Sequence, residues 1–348
     1  MRKFLSALAC CTIASSCVML DLKTAETSDA SKIAFELEWD ALAEDARPDT
    51  VFVAMNRVSD VIRYAFELDA SGNYLPDNDH DSSAVYGNYI MLAYTRDRDN
   101  YDFSGPDSFI SEPKVSMKDF KASLKELPLD ELDALREGSN LDFNAAYRFV
   151  RHSVPLWSAS RKGDVSDTRE NAFRFTMRPM LQDITFAVNL EAESGVDIVS
   201  VVAEVSGVPA SISLLTGAVD VEDMARVIFR MSPSGEHRYE GTVGIPGLFP
   251  SGNASLYTGP GIMRLSVTAE MNGVRKVLRP AMNIGDLITS SSLMERIPGT
   301  DDYRISRRTA VLEVSGHLII GAGSFSSSGS GSGSVEGWFD SDNIDVEI

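Results

Sequence analysis

Five residues from position 77 to position 81 place oxygen-bearing side chains at alternate positions, which is the pattern a calcium loop needs. The three carboxylates are Asp77, Asp79 and Asp81. An EF-hand loop starting at Asp77 would also need Gly at its sixth position and Glu at its twelfth, where this chain has Ser82 and Asn88. A solvated acidic loop is the better interpretation, so we predict no metal and no cofactor, and a weak Ca²⁺ site at the three aspartates stays open.

Catalytic motifs are not evident elsewhere in the chain. Its four histidines form no His-Glu-x-x-His or His-x-His pattern, and they stand at His80, His152, His237 and His317. Neither a Gly-x-Ser-x-Gly nucleophile elbow nor a phosphate-binding loop with its lysine occurs. Many carboxylates are present, but nothing in the sequence singles out a catalytic pair. We therefore expect a protein that is not an enzyme.

Cys17 is the residue with the clearest predicted chemistry. A basic Met1-Arg2-Lys3 and an apolar stretch over 4–14 match a secretory signal and are too short to span a bilayer. Small residues then lead to Cys17, and Ala14-Ser15-Ser16-Cys17 resembles the cleavage and lipidation site of bacterial lipoproteins. We predict a signal peptide over 1–16, a diacylglycerol on the Cys17 thiol and a lipidated tether over 17–31. An ordinary signal peptide with a chance cysteine is the alternative.

Composition excludes several classes of protein. The 348 residues carry 51 acidic and 32 basic side chains, a net charge of −19, and no Lys/Arg cluster is visible along the sequence, so nucleic acid is not an expected partner. The three cysteines stand at positions 10, 11 and 17, so the body of the chain has neither a disulfide framework nor a cysteine zinc site. Burial of apolar side chains must hold it together.

Alternation of apolar and polar residues predicts an all-β fold. Strands are expected around 33–39, 51–55, 61–68 and 86–94, and again from residue 173 onward, with Asn272-Gly273 as a hairpin turn. A charged stretch over 161–170 is the predicted linker between an N-terminal β-sandwich over 32–160 and a C-terminal one over 171–348. Ser232 to Gly235 is a second predicted turn.

One helical interruption is predicted in the first domain. The apolar residues Met117, Phe120, Leu124 and Leu127 follow a helical spacing, and Ser116 with Asp119 has the form of a capping box. Packing against the sheet is the expected role of this stripe. Pro128 should end the helix, and a second short turn is predicted over 129–137.

The end of the chain carries the second feature of functional interest. A Gly/Ser-rich stretch over 321–334 precedes a strand in which Ile344, Val346 and Ile348 lie on one face. Such a strand can close its own sheet, or it can pair with the edge of another subunit. We name these three residues as candidates for strand pairing.

Dense aromatic residues between positions 86 and 103 raise a further possibility, a platform for glycan. Tyr86 and Tyr94 share a strand face, whereas Tyr89 points to the opposite one. Burial in a core is the commoner role of aromatic residues in strands.

Motifs in a consistent order resemble the fimbrial anchor and accessory lipoproteins of Bacteroidetes, the fimbrillin-associated group. They are the lipidation site, Glu38-Trp39-Asp40, Pro48 before Val51–Met55, Tyr86–Asp97, Leu156–Ala159, Met180–Phe186, Val201–Gly207, Leu215–Gly217 and Val335–Phe339. Arg96-Asp97 departs from the Asn-x-Asp turn that is usual in the family. The resemblance implies two tandem transthyretin-like, Greek-key β-sandwiches.

The same resemblance implies a non-enzymatic lipoprotein of the outer membrane that anchors or assembles a fimbria in cell adhesion, with fimbrial subunits as partners. The alternative is a surface lipoprotein that binds glycan or host protein. Exposed aromatic residues on loops would favour this second class.

Overall fold

A computed structural model describes residues 30–40, 42–43, 46–75, 82–136, 148–167, 171–251, 259–321 and 339–340. Within these ranges the chain is built from 21 strands and two short α-helices, so the all-β prediction is confirmed. The strands form two large sheets, one N-terminal and one C-terminal, with two small sheets beside them.

Seven strands make up the N-terminal sheet, in the order β3-β2-β5-β8-β9-β1-β4. Their bounds are β1 Ala30–Trp39, β2 Val51–Arg57, β3 Arg63–Leu68, β4 Ser83–Val85, β5 Gly87–Thr95, β8 Trp157–Val165 and β9 Asn171–Pro179. Most neighbours are antiparallel, but β1 and β9 run parallel, from Ile33 opposite Asn171 to Trp39 opposite Met177. Only the last two residues of β9 pair with β8, so β9 connects two parts of the sheet.

This sheet curls over its own core. The Phe35 ring on β1 lies 5.6 Å from that of Phe66 on β3, although four strands separate β1 from β3 in the sheet order. At the other end Trp39 meets Trp157 edge to face at 5.6 Å. Alternate residues of β1 and β9 are buried, as the apolar pattern predicts. The two parts of the sheet therefore face one another as the layers of a sandwich.

A segment over 96–156, here called the inserted segment, connects β5 to β8. Its elements are β6 Tyr101–Ser104, a 3₁₀ turn Pro106–Ser108, a 3₁₀ turn Met117–Asp119, β7 Lys121–Leu124 and α1 Leu129–Arg136. The predicted capping box is present. The Ser116 side chain accepts a hydrogen bond from the backbone of the turn, and the Asp119 carboxylate accepts one from the backbone nitrogen of Ser116. It closes only one turn, however, and the predicted helical stripe is wrong beyond Phe120, where β7 begins. The helix of the segment is α1, where a short turn was expected.

Nine strands make up the C-terminal sheet. They are β10 Gln182–Ala192, β11 Asp197–Pro209, β13 Met224–Gly235, β14 Arg238–Ile245, β15 Ile262–Met271, β16 Val274–Leu278, β17 Pro280–Asn283, β20 Thr309–Ile320 and β21 Phe339–Asp340. The order is β20-β10-β14-β13-β11-β15-β17-β21, with β16 on β15. The first half of β13 pairs with β11 and its last residues with β14, so β13 crosses between two layers. Apolar residues of β10 and β20 share one core with those of β11 and β15.

Two predicted turns in this sheet have different outcomes. Asn272 and Gly273 both have positive φ, at 52° and 79°, and join β15 to β16 as predicted. The predicted turn at Ser232 to Gly235 is wrong, because these residues continue β13. Pro233 pairs with Tyr239, and the ladder shifts register before Gly235. This irregularity accommodates residues that normally mark a turn.

The sheets also place the boundary between the two units differently from the predicted linker over 161–170. Residues up to Val165 belong to β8, and β9 after them belongs to the N-terminal sheet. The chain passes to the C-terminal sheet between Pro179 and Gln182. The charged residues Arg161, Lys162 and Asp164 are part of β8, and Arg161 is half-buried there with its guanidinium over the Phe173 ring.

The inserted segment joins the two large sheets. Its β7 pairs with β12, Ser211–Ser213 of the C-terminal unit, with Ile212 opposite Ala122. Further along, Val150 and Arg226 are joined through backbone hydrogen bonds, and α1 lies against β13. A continuous apolar core runs from Leu92 and Phe120 on the N-terminal side to Ile184 and Leu265 on the C-terminal side. The remaining elements, α2 Gly285–Ser291, β18 Met294–Arg296 and β19 Tyr303–Ile305, lie beside the C-terminal sheet.

Candidate functional site

Most of the predicted site residues lie outside the described residues. This holds for Cys17, for the aspartates at 77, 79 and 81, and for Ile344, Val346 and Ile348. In the part of the chain that the structure describes, no cluster of three or more side chains could hold a metal ion. Over the same residues, no helix has the length and apolar character that crossing a membrane requires.

The edge of the C-terminal sheet at β17 receives the last described segment of the chain. Ala281 of β17 pairs with Phe339, and Pro280 pairs with Asp340, in antiparallel register. This short contact comes directly before the predicted pairing strand. It is made at the outer edge of the sheet, since β21 ends the strand order.

The opposite edge of the same sheet is β20. This strand runs parallel to β10, from Thr309 opposite Asp183 to Ile320 opposite Ala192. Its faces differ: Leu312 and Val314 are buried, whereas Val311 is 58% exposed. Glu313 pairs with Arg238 across the sheet surface, which lowers the pKa of that carboxyl. A charged pair on an edge strand is one way to discourage unwanted pairing.

The predicted aromatic platform does not form from the tyrosines of this region. Tyr89, Tyr94 and Tyr101 are all buried, and burial raises the pKa of each phenol above its usual range. Tyr89 lies in the N-terminal core, whereas Tyr94 lies on the opposite face of β5 and meets the Phe120 ring edge to face at 5.9 Å. The opposite orientation of Tyr89 and Tyr94 is confirmed, but the prediction that Tyr86 shares a face with Tyr94 is wrong, because Tyr86 precedes β5 and packs against the N-terminal core with Tyr89.

A cleft of about 590 Å³ opens where the two units meet, and we call it the arginine cleft. Its walls are the adjoining ends of β8 and β9, the chain over 212–217, and the small β18-β19 sheet. Its lining includes four arginines and one glutamate: Arg161, Arg174, Arg178, Arg304 and Glu295. The arginines are 13, 4 and 126 positions apart along the sequence, which is why no basic cluster is visible there.

The guanidinium groups of these arginines differ in how many hydrogen bonds and ion pairs they form within the protein. Arg161 donates from Nη1 to the backbone oxygen of Arg174 at 2.7 Å, and its buried Nε has no hydrogen-bond partner among the described residues. Arg174 donates to Glu36 at 2.9 Å, and that carboxylate raises the pKa of the guanidinium. Arg178 is exposed, and its guanidinium pairs with none of the described side chains. Arg178 is therefore the cation of the cleft that is most available to a ligand.

The third wall presents one further arginine. Arg304 of β19 donates from Nε to Glu295 of β18 at 2.7 Å, and both side chains are about half exposed. Gly217 faces this pair with a φ of +75°, and a Cβ on it would lie 3.8 Å from Cβ of Arg304. A side chain at this position would narrow the cleft, so glycine keeps it open.

A titratable group in the connection between the units is His152. Its Nε2 lies 3.0 Å from the backbone oxygen of Ile228, and its ring meets Phe229 edge to face at 6.3 Å. Burial lowers the pKa of this imidazole below its usual value. His152 therefore belongs to the join between the inserted segment and β13.

Fold and site together describe an all-β protein of two joined units, with strand edges at its ends and a cationic cleft between them. No family model matches the chain, and no curated protein matches it. Solved structures from Bacteroides and Porphyromonas species are similar to it. A candidate adhesin of Bacteroides ovatus has 11% identity and a TM-score of 0.49, covering 82% of this chain and 89% of that one.

Two further solved structures have comparable likeness. A candidate adhesin of Bacteroides thetaiotaomicron has 12% identity and a TM-score of 0.46, covering 84% of this chain and 91% of that one. The fimbrial anchor protein Mfa2 of Porphyromonas gingivalis has 11% identity and a TM-score of 0.42, covering 83% and 91%.

Proposed function

We propose that this chain is a non-enzymatic lipoprotein of the outer membrane that serves as a fimbrial anchor or accessory subunit in cell adhesion. A lipid on Cys17 would hold it to the membrane, with residues 18–31 as the tether to the first strand. The motifs that resemble fimbrial anchor and accessory lipoproteins support this role. One of the similar solved structures, Mfa2 of Porphyromonas gingivalis, is itself described as a fimbrial anchor protein.

The observation that carries the proposal is the pairing of β21 with β17. A Gly/Ser-rich stretch over 321–334 precedes β21 in the sequence, and this composition is typical of linkers. Main-chain hydrogen bonds at a sheet edge do not depend on whether the incoming strand belongs to the same chain. The strand predicted over Ile344, Val346 and Ile348 would thus extend the same edge within its own chain or pair with a fimbrial subunit.

Recovery of partners from membranes tests the assembly role. Tagged full-length protein is compared with a variant truncated before Ile344 and with one in which Ile344, Val346 and Ile348 are all serine. The matched control replaces the alternate residues Asp345 and Glu347 with serine, which changes the other face of the strand. We expect a pilin-like β-protein to be recovered with the full-length chain and the control only.

Two results would count against this proposal in different ways. Equal recovery by all forms would place the contact away from the terminal strand. The lack of a pilin-like partner for the full-length chain would refute the fimbrial role.

Membrane attachment needs a separate experiment. Cys17→Ser is expected to abolish the incorporation of labelled palmitate and to move the protein from the membrane pellet to the soluble fraction. Cys11→Ser is the matched control, because residue 11 lies in the predicted signal peptide and is removed with it. Unchanged labelling of Cys17→Ser would show that the lipid is elsewhere or that no lipid is attached.

A further inference from the structure

We propose that the arginine cleft binds a short saccharide bearing a carboxylate, such as a chain of one to three uronic acid units. This site is separate from both strand edges and goes beyond the proposed fimbrial role. Its volume of about 590 Å³ falls within the usual range of small-molecule sites.

Charge is the first reason to expect an anionic ligand. The whole chain has a net charge of −19, so its surface on average repels anions. The cleft concentrates four arginines against one lining carboxylate, Glu295. Ion pairs with Glu36 and Glu295 occupy Arg174 and Arg304. Arg161 and Arg178 have no carboxylate partner among the described side chains, so the local surplus of positive charge belongs to these two.

The shape of the donor favours a carboxylate. A guanidinium presents planar, paired N–H groups that match the two oxygens of a carboxylate in a bidentate hydrogen bond. Arg178 is exposed at the end of β9, where such a pairing needs no bond within the protein to be broken. A carboxylate bound there would gain a partner without displacing another.

The remaining lining favours a saccharide over a simple anion. Hydroxyl groups surround the arginines and can exchange hydrogen bonds with sugar hydroxyls, and they belong to Ser160, Thr176, Thr216 and Ser306. Apolar side chains lie between them, among them Leu215 and Ile305, and these can cover the C–H face of a sugar ring. An inorganic anion would use the charge but neither of these groups.

The cleft is also largely preformed. Oγ of Ser158 on β8 donates to the backbone oxygen of Leu214 at 2.6 Å, and the backbone nitrogen of Leu214 donates to Phe120 in the inserted segment at 2.9 Å. Two walls are thereby fixed to each other through buried groups. A rigid site loses less free energy when it orders around a ligand, which favours the binding of a small flexible saccharide.

Calorimetric titration with defined sugars tests the proposal on the full-length protein in detergent. The probes are digalacturonic acid and its dimethyl ester, which keeps the sugar and removes the charge, together with inorganic phosphate. We expect digalacturonic acid to bind and the ester to bind at least 10-fold more weakly, because a charge-assisted hydrogen bond is worth about one to two decades in affinity.

Variants separate the cleft from general electrostatics. Arg178→Gln is expected to weaken binding of digalacturonic acid by about 10- to 100-fold while the far-UV spectrum stays the same, because the side chain is exposed. The control is Arg275→Gln, which removes a positive charge from the exposed hairpin of β15 and β16. We expect it to bind as the unmodified chain does.

Three results would overturn the proposal. These are no measurable binding of digalacturonic acid, equal losses in the two arginine variants, and phosphate that binds as tightly as the sugar acid. Each is independent of the pilin recovery experiment, so the two proposals can fail separately.

Discussion

Glu204 offers the strongest test of how the C-terminal sheet is held together. It lies on β11 with a side chain only 5% exposed and forms an ion pair with Arg226 of β13, which is 9% exposed. Arg264 of β15 donates to the same oxygen at 3.2 Å. The carboxylate therefore serves two guanidinium groups on the two neighbouring strands, and its loss removes this hydrogen-bond acceptor from both of them.

Breaking a buried ion pair by removing one partner costs about 3–5 kcal/mol, because the remaining charge is left desolvated. We therefore expect Glu204→Gln to lower the free energy of unfolding by about 3–5 kcal/mol. The matched control is Glu313→Gln on β20, whose carboxylate pairs with Arg238 at 2.6 Å but is 61% exposed. An exposed pair contributes about 0–1 kcal/mol, so this variant should stay close to the unmodified chain.

Urea titration followed by far-UV circular dichroism gives the free energy of unfolding by linear extrapolation. If Glu204→Gln and Glu313→Gln cost the same, within about 1 kcal/mol, the burial argument is wrong. A further variant, Glu204→Met with Arg226→Met, replaces both partners by apolar groups of similar length. It should be more stable than Glu204→Gln, since the buried Arg226 charge is removed together with the carboxylate that it pairs with, whereas Arg264 loses that carboxylate in both variants.

Three other predictions concern separate contacts. His152 should make stability depend on pH: because burial lowers its pKa in the folded state, the unfolded chain binds the proton first as pH falls, so its contribution is present above about pH 6.5 and declines below that value. Urea midpoints at pH 7.5 and 5.5 should differ less for His152→Gln than for the unmodified chain, and an equal difference would contradict the assignment. Gly72→Ala should lower the melting temperature more than Gly273→Ala. Both glycines have positive φ, but a Cβ at Gly72 would lie 2.4 Å from the backbone oxygen of Phe35, whereas a Cβ at Gly273 would meet open space. Equal losses in melting temperature would show that backbone strain alone matters. Arg63→Lys should cost about 1–3 kcal/mol and speed proteolysis near residues 109–113, because its guanidinium donates to three backbone oxygens there; an unchanged cleavage rate would refute the role of this contact.

Local patterns predicted the strands because each depends on residues close in sequence. Phe35, Leu37 and Trp39 alternate with polar residues, and one face of β1 is buried as a result. The helix predicted after Ser116 is wrong beyond Phe120 because the structure there depends on residues distant in sequence. The spacing of the apolar residues fits a helix, but it also fits one 3₁₀ turn followed by a strand that pairs at a distance, and β7 gains its partners β6 and β12 only in the folded chain.

Features that arise from distant residues could not be read from the sequence. The arginine cleft is lined by both Arg161 and Arg304, and no spacing rule connects two residues so far apart in the sequence. The charged stretch over 161–170 has the composition of a linker, yet its first half continues β8. Charge on the exposed face of a strand looks the same as charge in a linker when the partner strand is unknown.

The two parallel strand pairs, β1 with β9 and β10 with β20, determine how a pulling force acts on the joined units. The first strand after the predicted tether, β1, lies parallel to β9 over seven residue pairs. The chain continues from the end of β9 into β10, which lies parallel to β20 over nine pairs. A pull between the amino end of β1 and the carboxyl end of β20 therefore shears both ladders along their length. The hydrogen bonds of a sheared ladder are loaded together rather than one after another, so this topology is compatible with the anchoring role proposed above.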